Sequence, residues 1–344
     1  SRSQIASNVG LETLKQGGNA IDAAVATAFT LAVTHPSAGN LGGGGFMVIC
    51  LAEGTQIVND HREKAPIDAS RDMYLDANGD IIPGLSRNTH KAVGVPGSVD
   101  GLLAALERYG SLPRARVLAD AIELARDGFP LPADIARQFA QRSDRLGRFP
   151  GGRAAFQKSD GTKYVAGDLW KQPDLAKTLE RIARRGRTGF YEGDTADMLV
   201  SEMRRHGGLI SHDDLKDYRS VWRDPIVGAY RDYSVVSMPP PSSGGALLIQ
   251  ILNMMEPFAV GAMGYGSADV MHLMVEAERR AYADRAEHLG DPDFYRVPLQ
   301  QLVDKGYARQ RFKGFDPDRA GISAGVNAGA FAHESKETTH LSIM

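Results

Sequence analysis

Apolar positions recur at helical spacing from the start of the chain: Ile5, Val9, Leu11 and Leu14 mark a segment running Gln4 to Gln16, which Gly17-Gly18 then ends. Asn19 is placed to cap a second helix, Asn19 to about Val33, alanine-rich and carrying only Asp22 as a charge, near the N-terminus where the macrodipole favours an acid. Its small residues predict close packing on several sides. The period then changes. Gly42 to Gly45 leads into Phe46 to Leu51, and after Glu53-Gly54 the run Thr55 to Asn59 follows, which reads as a glycine-rich turn and a β-hairpin. Helical spacing returns in Ser98 to Tyr109, Arg114 to Asp127 and Pro132 to Arg145, and again in Asp174 to Arg185, Asp194 to His206 and Asp213 to Asp217. Ile226 to Met238 reads as a strand pair, because Val227, Tyr230, Tyr233, Val235 and Val236 suit a pleated surface. The irregular run Met238 to Gly245 precedes an apolar helix, Ala246 to Met255, and Ala268 to Leu289 is a long charged helix. Helices outnumber strands so strongly that the pattern predicts further strands after Met344.

Composition narrows the function classes. With 344 residues and 42% hydrophobic content, the chain can bury a large core as one big domain or two ordinary ones. A net charge of −2, from 40 basic and 42 acidic residues, gives no bulk electrostatic reason to bind nucleic acid or anionic membrane. The single cysteine, Cys50, follows an apolar run and is expected to be a buried structural thiol; an intrachain disulfide and a cysteine-ligated metal site are excluded. The apolar, uncharged stretch Ala23 to Thr34 is too short to span a bilayer. The opening Ser1-Arg2-Ser3-Gln4 has neither an initiator methionine nor an apolar signal region, so an original N-terminus is expected to have been removed or left out.

Candidate chemistry gathers at the far end, in Glu337-Thr338-Thr339-His340-Leu341-Ser342. One reading is an ordinary strand of β-branched and apolar residues. The other requires a break before Thr338, which would free an α-amine of pKa about 7.7–8.0 beside the threonine hydroxyl, joining nucleophile and base in one residue. His35 and His340 lack metal-ligand spacing and read as structural. Asp284, Arg285 and Asp291 read as ties between a long helix and neighbouring loops. Ser242-Ser243-Gly244-Gly245 reads as a helix start, since GxSxG is absent. The Gly42 to Gly45 run lacks the lysine of a phosphate loop and opens a strand, so nucleotide binding is not expected.

In this order along the chain stand Gly17-Gly18-Asn19-Ala20-Ile21-Asp22-Ala23-Ala24, Thr34-His35-Pro36-Ser37-Ala38-Gly39-Asn40-Leu41-Gly42-Gly43-Gly44-Gly45-Phe46, Asp60-His61-Arg62-Glu63-Lys64-Ala65-Pro66 and Gly94-Val95-Pro96-Gly97-Ser98. Ala281-Tyr282-Ala283-Asp284-Arg285, Gly290-Asp291-Pro292-Asp293-Phe294 and Thr338-Thr339-His340 follow them. The set resembles the large subunit of gamma-glutamyltranspeptidase, a member of the N-terminal nucleophile hydrolases. The resemblance implies an α+β chain in a four-layer αββα sandwich, completed by a small subunit. It implies self-cleavage between Glu337 and Thr338, giving a large subunit 1–337 and a small subunit from 338, with Thr338 as nucleophile on γ-glutamyl amides such as glutathione and water, amino acids or peptides as acceptors. Arg62 matches the family's arginine that grips the substrate α-carboxylate; on residue type alone, Arg62 could instead pair with Asp60 or Glu63. No cofactor and no metal are implied, the expected partner is the chain's own small subunit, and the location is periplasmic or secreted. An acylase of β-lactam side chains or other acyl amides on the same fold, or a non-catalytic uncut homologue, are the alternatives.

Overall fold

A computed structural model of the chain describes residues 1–331. They form two compact units, Ser1–Phe46 with Asn59–Val221, and Met47–Val58 with the chain from Trp222 on.

The first unit is organised on the Ala20–Thr34 helix, which packs against the helices Gln4–Lys15, Ser98–Tyr109 and Arg114–Asp127 and buries Val25, Phe29 and Val33 completely. Its start is fixed by a capping box: Asn19 Oδ1 accepts from the N–H groups of Ile21 and Asp22, and Asp22 Oδ2 accepts from the Asn19 N–H at 2.8 Å. Asp22 also accepts from Ser111 Oγ at 2.6 Å and from the N–H groups of Ser111 and Leu112 at 3.0 and 3.1 Å. One buried carboxylate thus joins a helix start to the loop after Tyr109. Burial alone would raise the pKa of Asp22; the hydrogen bonds from Ser111, Asn19 and Leu112 outweigh it and hold the group below the ordinary carboxylate value. The single helix expected from Pro132 to Arg145 is divided: Ala133–Gln141 ends at Arg142, and a separate turn Ser143–Leu146 follows. Gln157 Nε2 donates to both the carbonyl and the hydroxyl of Ser143, which holds the second turn in its own direction.

Strands Phe46–Cys50, Gln56–Asp60 and Val221–Arg223, most of whose residues belong to the second unit, follow one another across a three-stranded sheet. Strands Ile226–Tyr230 and Tyr233–Ser237 pair antiparallel, with Tyr230 opposite Tyr233 across a two-residue turn in which Arg231 takes a left-handed φ of 52°. Helices Gly244–Met255, Ala268–His288 and Lys305–Phe312 enclose Leu247, Met254, Leu273, Ala277, Ala281 and Phe312. Asp284 is fully buried and accepts from Gln250 Nε2, from Tyr307 Oη at 2.9 Å, from Arg311 Nε at 3.1 Å and from the Gly329 N–H at 2.8 Å. It ties the long helix to its surroundings, as the sequence predicts.

Cys50 is a correction. It is exposed, because along its strand Ile49 takes the buried face and the alternation of side chains leaves Val48 and Cys50 on the other. Among the described residues no helix is long and apolar enough to cross a membrane.

Candidate active site

Arg62 lies just beyond the strand Gln56–Asp60 in the first unit, and its position is set by what closes on the backbone around it. The ladder continues past the strand: the His61 N–H donates to Gly45 O at 3.0 Å and the Gly45 N–H to His61 O at 3.2 Å. Gly43 O accepts from the N–H groups of Gly97 and Ser98 at 2.8 and 3.0 Å, drawing the start of the Ser98–Tyr109 helix onto the glycine run. Only glycine fits at Gly44, where an added Cβ would stand 2.5 Å from His61 O, 2.7 Å from Glu63 N and 2.9 Å from Arg62 Cα. The Arg62 N–H donates to Asp60 Oδ1 at 3.2 Å, and the Arg62 carbonyl accepts from Tyr218 Oη at 2.8 Å. Lys64 then pairs with Val95 in an antiparallel bridge.

The hydroxyl that holds Arg62 is itself braced. Tyr218 is buried and stacks on buried Tyr191, with ring centroids 5.8 Å apart and planes inclined by 2°. Burial pushes the pKa of both phenols upward, so each keeps its proton and remains a donor. Arg187 donates to Asp100 Oδ1 at 2.9 Å and to the carbonyls of Leu215, Lys216 and Tyr218 at 3.1, 2.8 and 2.7 Å. Asp100 Oδ2 accepts from the Ser220 N–H at 2.7 Å, so this ion pair has its remaining hydrogen-bonding capacity filled. His61 is buried beside Gly101, and its Nδ1 lies 2.9 Å from Asn59 Oδ1, an acceptor, which places the Nδ1 proton between them. Burial lowers the His61 pKa despite the opposing charge of Asp60.

In contrast with its backbone, the guanidinium of Arg62 is unengaged by acids of the described residues. Arg62 is exposed, and among the described residues its charged group meets the Phe46 ring, 5.7 Å from the centroid, and no carboxylate. The pairings with Asp60 or Glu63 that residue type allows are not formed by its side chain. A planar cation held at its root and open at its tip suits two parallel hydrogen bonds to an incoming carboxylate.

The other sequence candidates separate cleanly. His35 is buried at the end of the Ala20–Thr34 helix, its N–H donating to Leu31 O at 2.8 Å. Ser242 and Ser243 precede the Gly244–Met255 helix, and Ser243 Oγ accepts from Arg285 Nε at 3.0 Å. Asp291 Oδ1 accepts from the Asp293 N–H at 3.0 Å. Glu337, Thr338 and His340 lie outside the described residues. Tyr218, Tyr191, Arg187 and Asp100 escaped the sequence reading, since nothing local marks a phenol 156 positions away as the partner of the Arg62 carbonyl.

Known proteins agree with this architecture. A model of the family described as gamma-glutamyltranspeptidase matches residues 6–344. The solved gamma-glutamyltranspeptidase of Helicobacter pylori superposes with a TM-score of 0.96 and 43% sequence identity, covering 98% of this chain and 97% of that one. The glutathione hydrolase proenzyme of Escherichia coli (strain K12) is 47% identical over 341 residues, 98% of this chain and 59% of that protein. The acylase ACY 1 proenzyme of Pseudomonas sp. (strain V22) is 40% identical over 348 residues, 98% of this chain and 61% of that protein. The backbone is therefore the mixed α and β, N-terminal nucleophile hydrolase fold that the sequence predicts. Within that class, the chain belongs to the gamma-glutamyltranspeptidase family. It spans about 59% of the length of the E. coli relative.

Proposed function

We propose that this chain carries the large subunit, residues 1–337, and the first residues of the small subunit of a gamma-glutamyltransferase and glutathione hydrolase that matures by cutting itself between Glu337 and Thr338. The observation that carries the reading is the Arg62 guanidinium, exposed and, among the described residues, without a carboxylate, on a backbone locked by Gly44 and Tyr218. The family membership and the name of the E. coli relative, a glutathione hydrolase proenzyme, support the substrate class. In the mature protein the freed α-amine of Thr338 takes the hydroxyl proton as Oγ attacks the γ-carbonyl carbon of a γ-glutamyl amide. The C–N bond breaks, the proton passes to the leaving amine, and a γ-glutamyl ester remains. Water or an acceptor amine then attacks the ester and restores the threonine, giving ping-pong kinetics. Arg62 holds the α-carboxylate of the γ-glutamyl group through both half-reactions. On this reading the small subunit completes the four-layer αββα sandwich, and the enzyme works in the periplasm or as a secreted protein.

A second reading is favoured by the 40% identical acylase relative: the same machinery could act on another acyl amide. Full-length protein is assayed on a γ-glutamyl anilide and a glutaryl amide, and turnover of the latter alone would replace the substrate assignment. Thr338→Ala should leave a single uncut band on a denaturing gel; a cut at the same place would move the nucleophile elsewhere. Arg62→Ala removes charge-assisted hydrogen bonds of about 1.5–3 kcal/mol, a loss of about 10- to 150-fold in donor kcat/KM. Unchanged donor kinetics would return Arg62 to a structural role.

A further inference from the structure

Away from Arg62, three side chains with metal-ligating atoms converge within the first unit. His90 opens a short 3-10 turn, Glu202 lies in the last turn of the Asp194–Arg205 helix, and His206 follows it four residues on as the C-terminal cap. The two imidazoles stack, with centroids 4.7 Å apart and planes inclined by 24°, and Phe149 packs edge-on against both at 4.7 and 5.1 Å. Nε2 of His90 is 3.6 Å, and Nε2 of His206 3.3 Å, from the same carboxylate oxygen, Glu202 Oε1. No two of the three ligand atoms are more than 4.8 Å apart.

We propose that His90, Glu202 and His206 form a binding site for a divalent first-row transition ion of the zinc type. The contacts are longer than good N–H···O hydrogen bonds, which fall at about 2.7–3.2 Å. They match a coordination shell instead, because bonds of about 2.0–2.1 Å in a tetrahedron set ligand atoms roughly 3.3 Å apart along each edge. Two imidazoles and one carboxylate are a donor set suited to zinc, nickel or copper more than to magnesium or calcium, and they leave a fourth position for water or a small anion.

The surroundings bear on both shape and charge. Gly207 takes a left-handed φ of 71°, and a Cβ on Gly208 would stand 2.4 Å from Met203 Sδ and 3.0 Å from His90 Cβ. Only a glycine pair lets the chain leaving the helix pass so close to His90, which is what sets the two rings side by side. Glu202 accepts from Arg205 Nη1 at 3.1 Å through its other oxygen, Oε2, so Oε1 is the atom left facing the imidazoles. The cluster is partly exposed, with 14%, 38% and 26% of the His90, Glu202 and His206 side chains open to solvent. His90 and Phe149 also line a cavity of about 240 Å³. Arg87, Arg145 and Arg148 line the same cavity, with Arg145 and Arg148 donating to the carbonyls of Arg87 and Asn88. These cations oppose a bound metal and favour an anion as the fourth ligand. A bound ion would pin the turn at His90 to the end of the Asp194–Arg205 helix.

Untagged full-length protein, stripped with a chelator, is titrated with zinc chloride by equilibrium dialysis with metal analysis, beside Glu202→Gln, His206→Ala and the control His212→Ala. Wild type and His212→Ala should each take up one zinc ion. Since even outer partners of a metal site are worth about 10- to 100-fold in affinity, loss of a direct ligand should weaken uptake by about 10-fold or more in the other two variants. Zinc should also raise the melting temperature of wild type and not of Glu202→Gln. A wild-type protein that takes up no zinc at millimolar concentration, or variants that bind as wild type, would overturn the assignment. Metal content is read independently of turnover, so failure here leaves the acyl-transfer reading standing, and the converse holds.

Discussion

Tyr218→Phe isolates the support beneath Arg62 from Arg62 itself. The substitution removes one oxygen, the donor to the Arg62 carbonyl at 2.8 Å, and leaves the stacked ring in place. A net hydrogen bond is worth about 0.5–1.5 kcal/mol, and an acceptor left buried without a partner costs about 1–3 kcal/mol. The hydroxyl is packed tightly against Gly97, where an added Cβ would stand 2.1 Å from it, so a replacing water has little more than the space of the lost atom. About 2 kcal/mol of destabilisation follows, read from urea midpoints. The released carbonyl lets the root of Arg62 shift, and a loss of about 1 kcal/mol in transition-state binding lowers kcat/KM for a γ-glutamyl anilide about five-fold. Tyr191→Phe is the matched control: its hydroxyl donates to Pro96 O at 2.8 Å, in the same buried stack, without touching Arg62. Both variants should lose similar stability, and only Tyr218→Phe should lose donor specificity. Equal kinetics in the two would show that the Tyr218 bond does not position Arg62.

Three further outcomes follow from the same geometry. Gly44→Ala puts a Cβ against three backbone atoms and should cost about 1–3 kcal/mol and most of the activity, while Gly42→Ala, whose Cβ would meet only Asn40 Oδ1 at 3.6 Å, should be tolerated in both assays. Asp22→Ala strips the acceptor from the Asn19 and Leu112 amides and from both donors of Ser111, and should lower stability by about 3 kcal/mol in urea denaturation; a change below about 0.5 kcal/mol would mean that the loop finds other partners. Stability should fall with acid in two stages. His61 has a folded pKa below its ordinary 6.5, so the unfolded chain binds the extra proton first and stability declines as pH drops below 6.5. Asp22, depressed below 3.8, adds its loss as pH falls from 3.8 through its folded value. Urea midpoints that rise between about pH 7.5 and 5.5, or a first stage that persists in His61→Gln, would contradict this.

Local rules carried the helices furthest. Ser98–Tyr109 and Arg114–Asp127 begin and end where spacing, Gly110 and Gly128 say they should, and Asn19 caps the helix it precedes. Short turns such as Leu85–Asn88 and Thr188–Tyr191 left no period to read, because four residues do not complete a repeat. Cys50 was misjudged because an apolar run resembles a strand buried on both faces, whereas this strand buries Ile49 and exposes its neighbours. At the site, Arg62 stood within a run of motif residues, but its brace did not. Nothing in the sequence marks what Gly97 and Gly101 do; only the folded chain shows that they make room for His61 and Tyr218. The His90, Glu202 and His206 cluster was invisible for the same reason, since 112 positions separate its first two members.

The locked root and open tip of Arg62 have a consequence for how tightly a donor can be held. An arginine side chain that is free to rotate surrenders roughly 1.5–2 kcal/mol of rotamer entropy when it closes on a carboxylate, and the Phe46 ring removes part of that freedom beforehand. Such an arm can follow its cargo. On the proposed acyl-transfer function, the guanidinium would swing with the carboxylate as the acyl group moves from the leaving amine to the threonine and on to the acceptor, its anchor staying still, so that neither half of the exchange would require the substrate to be released and caught again.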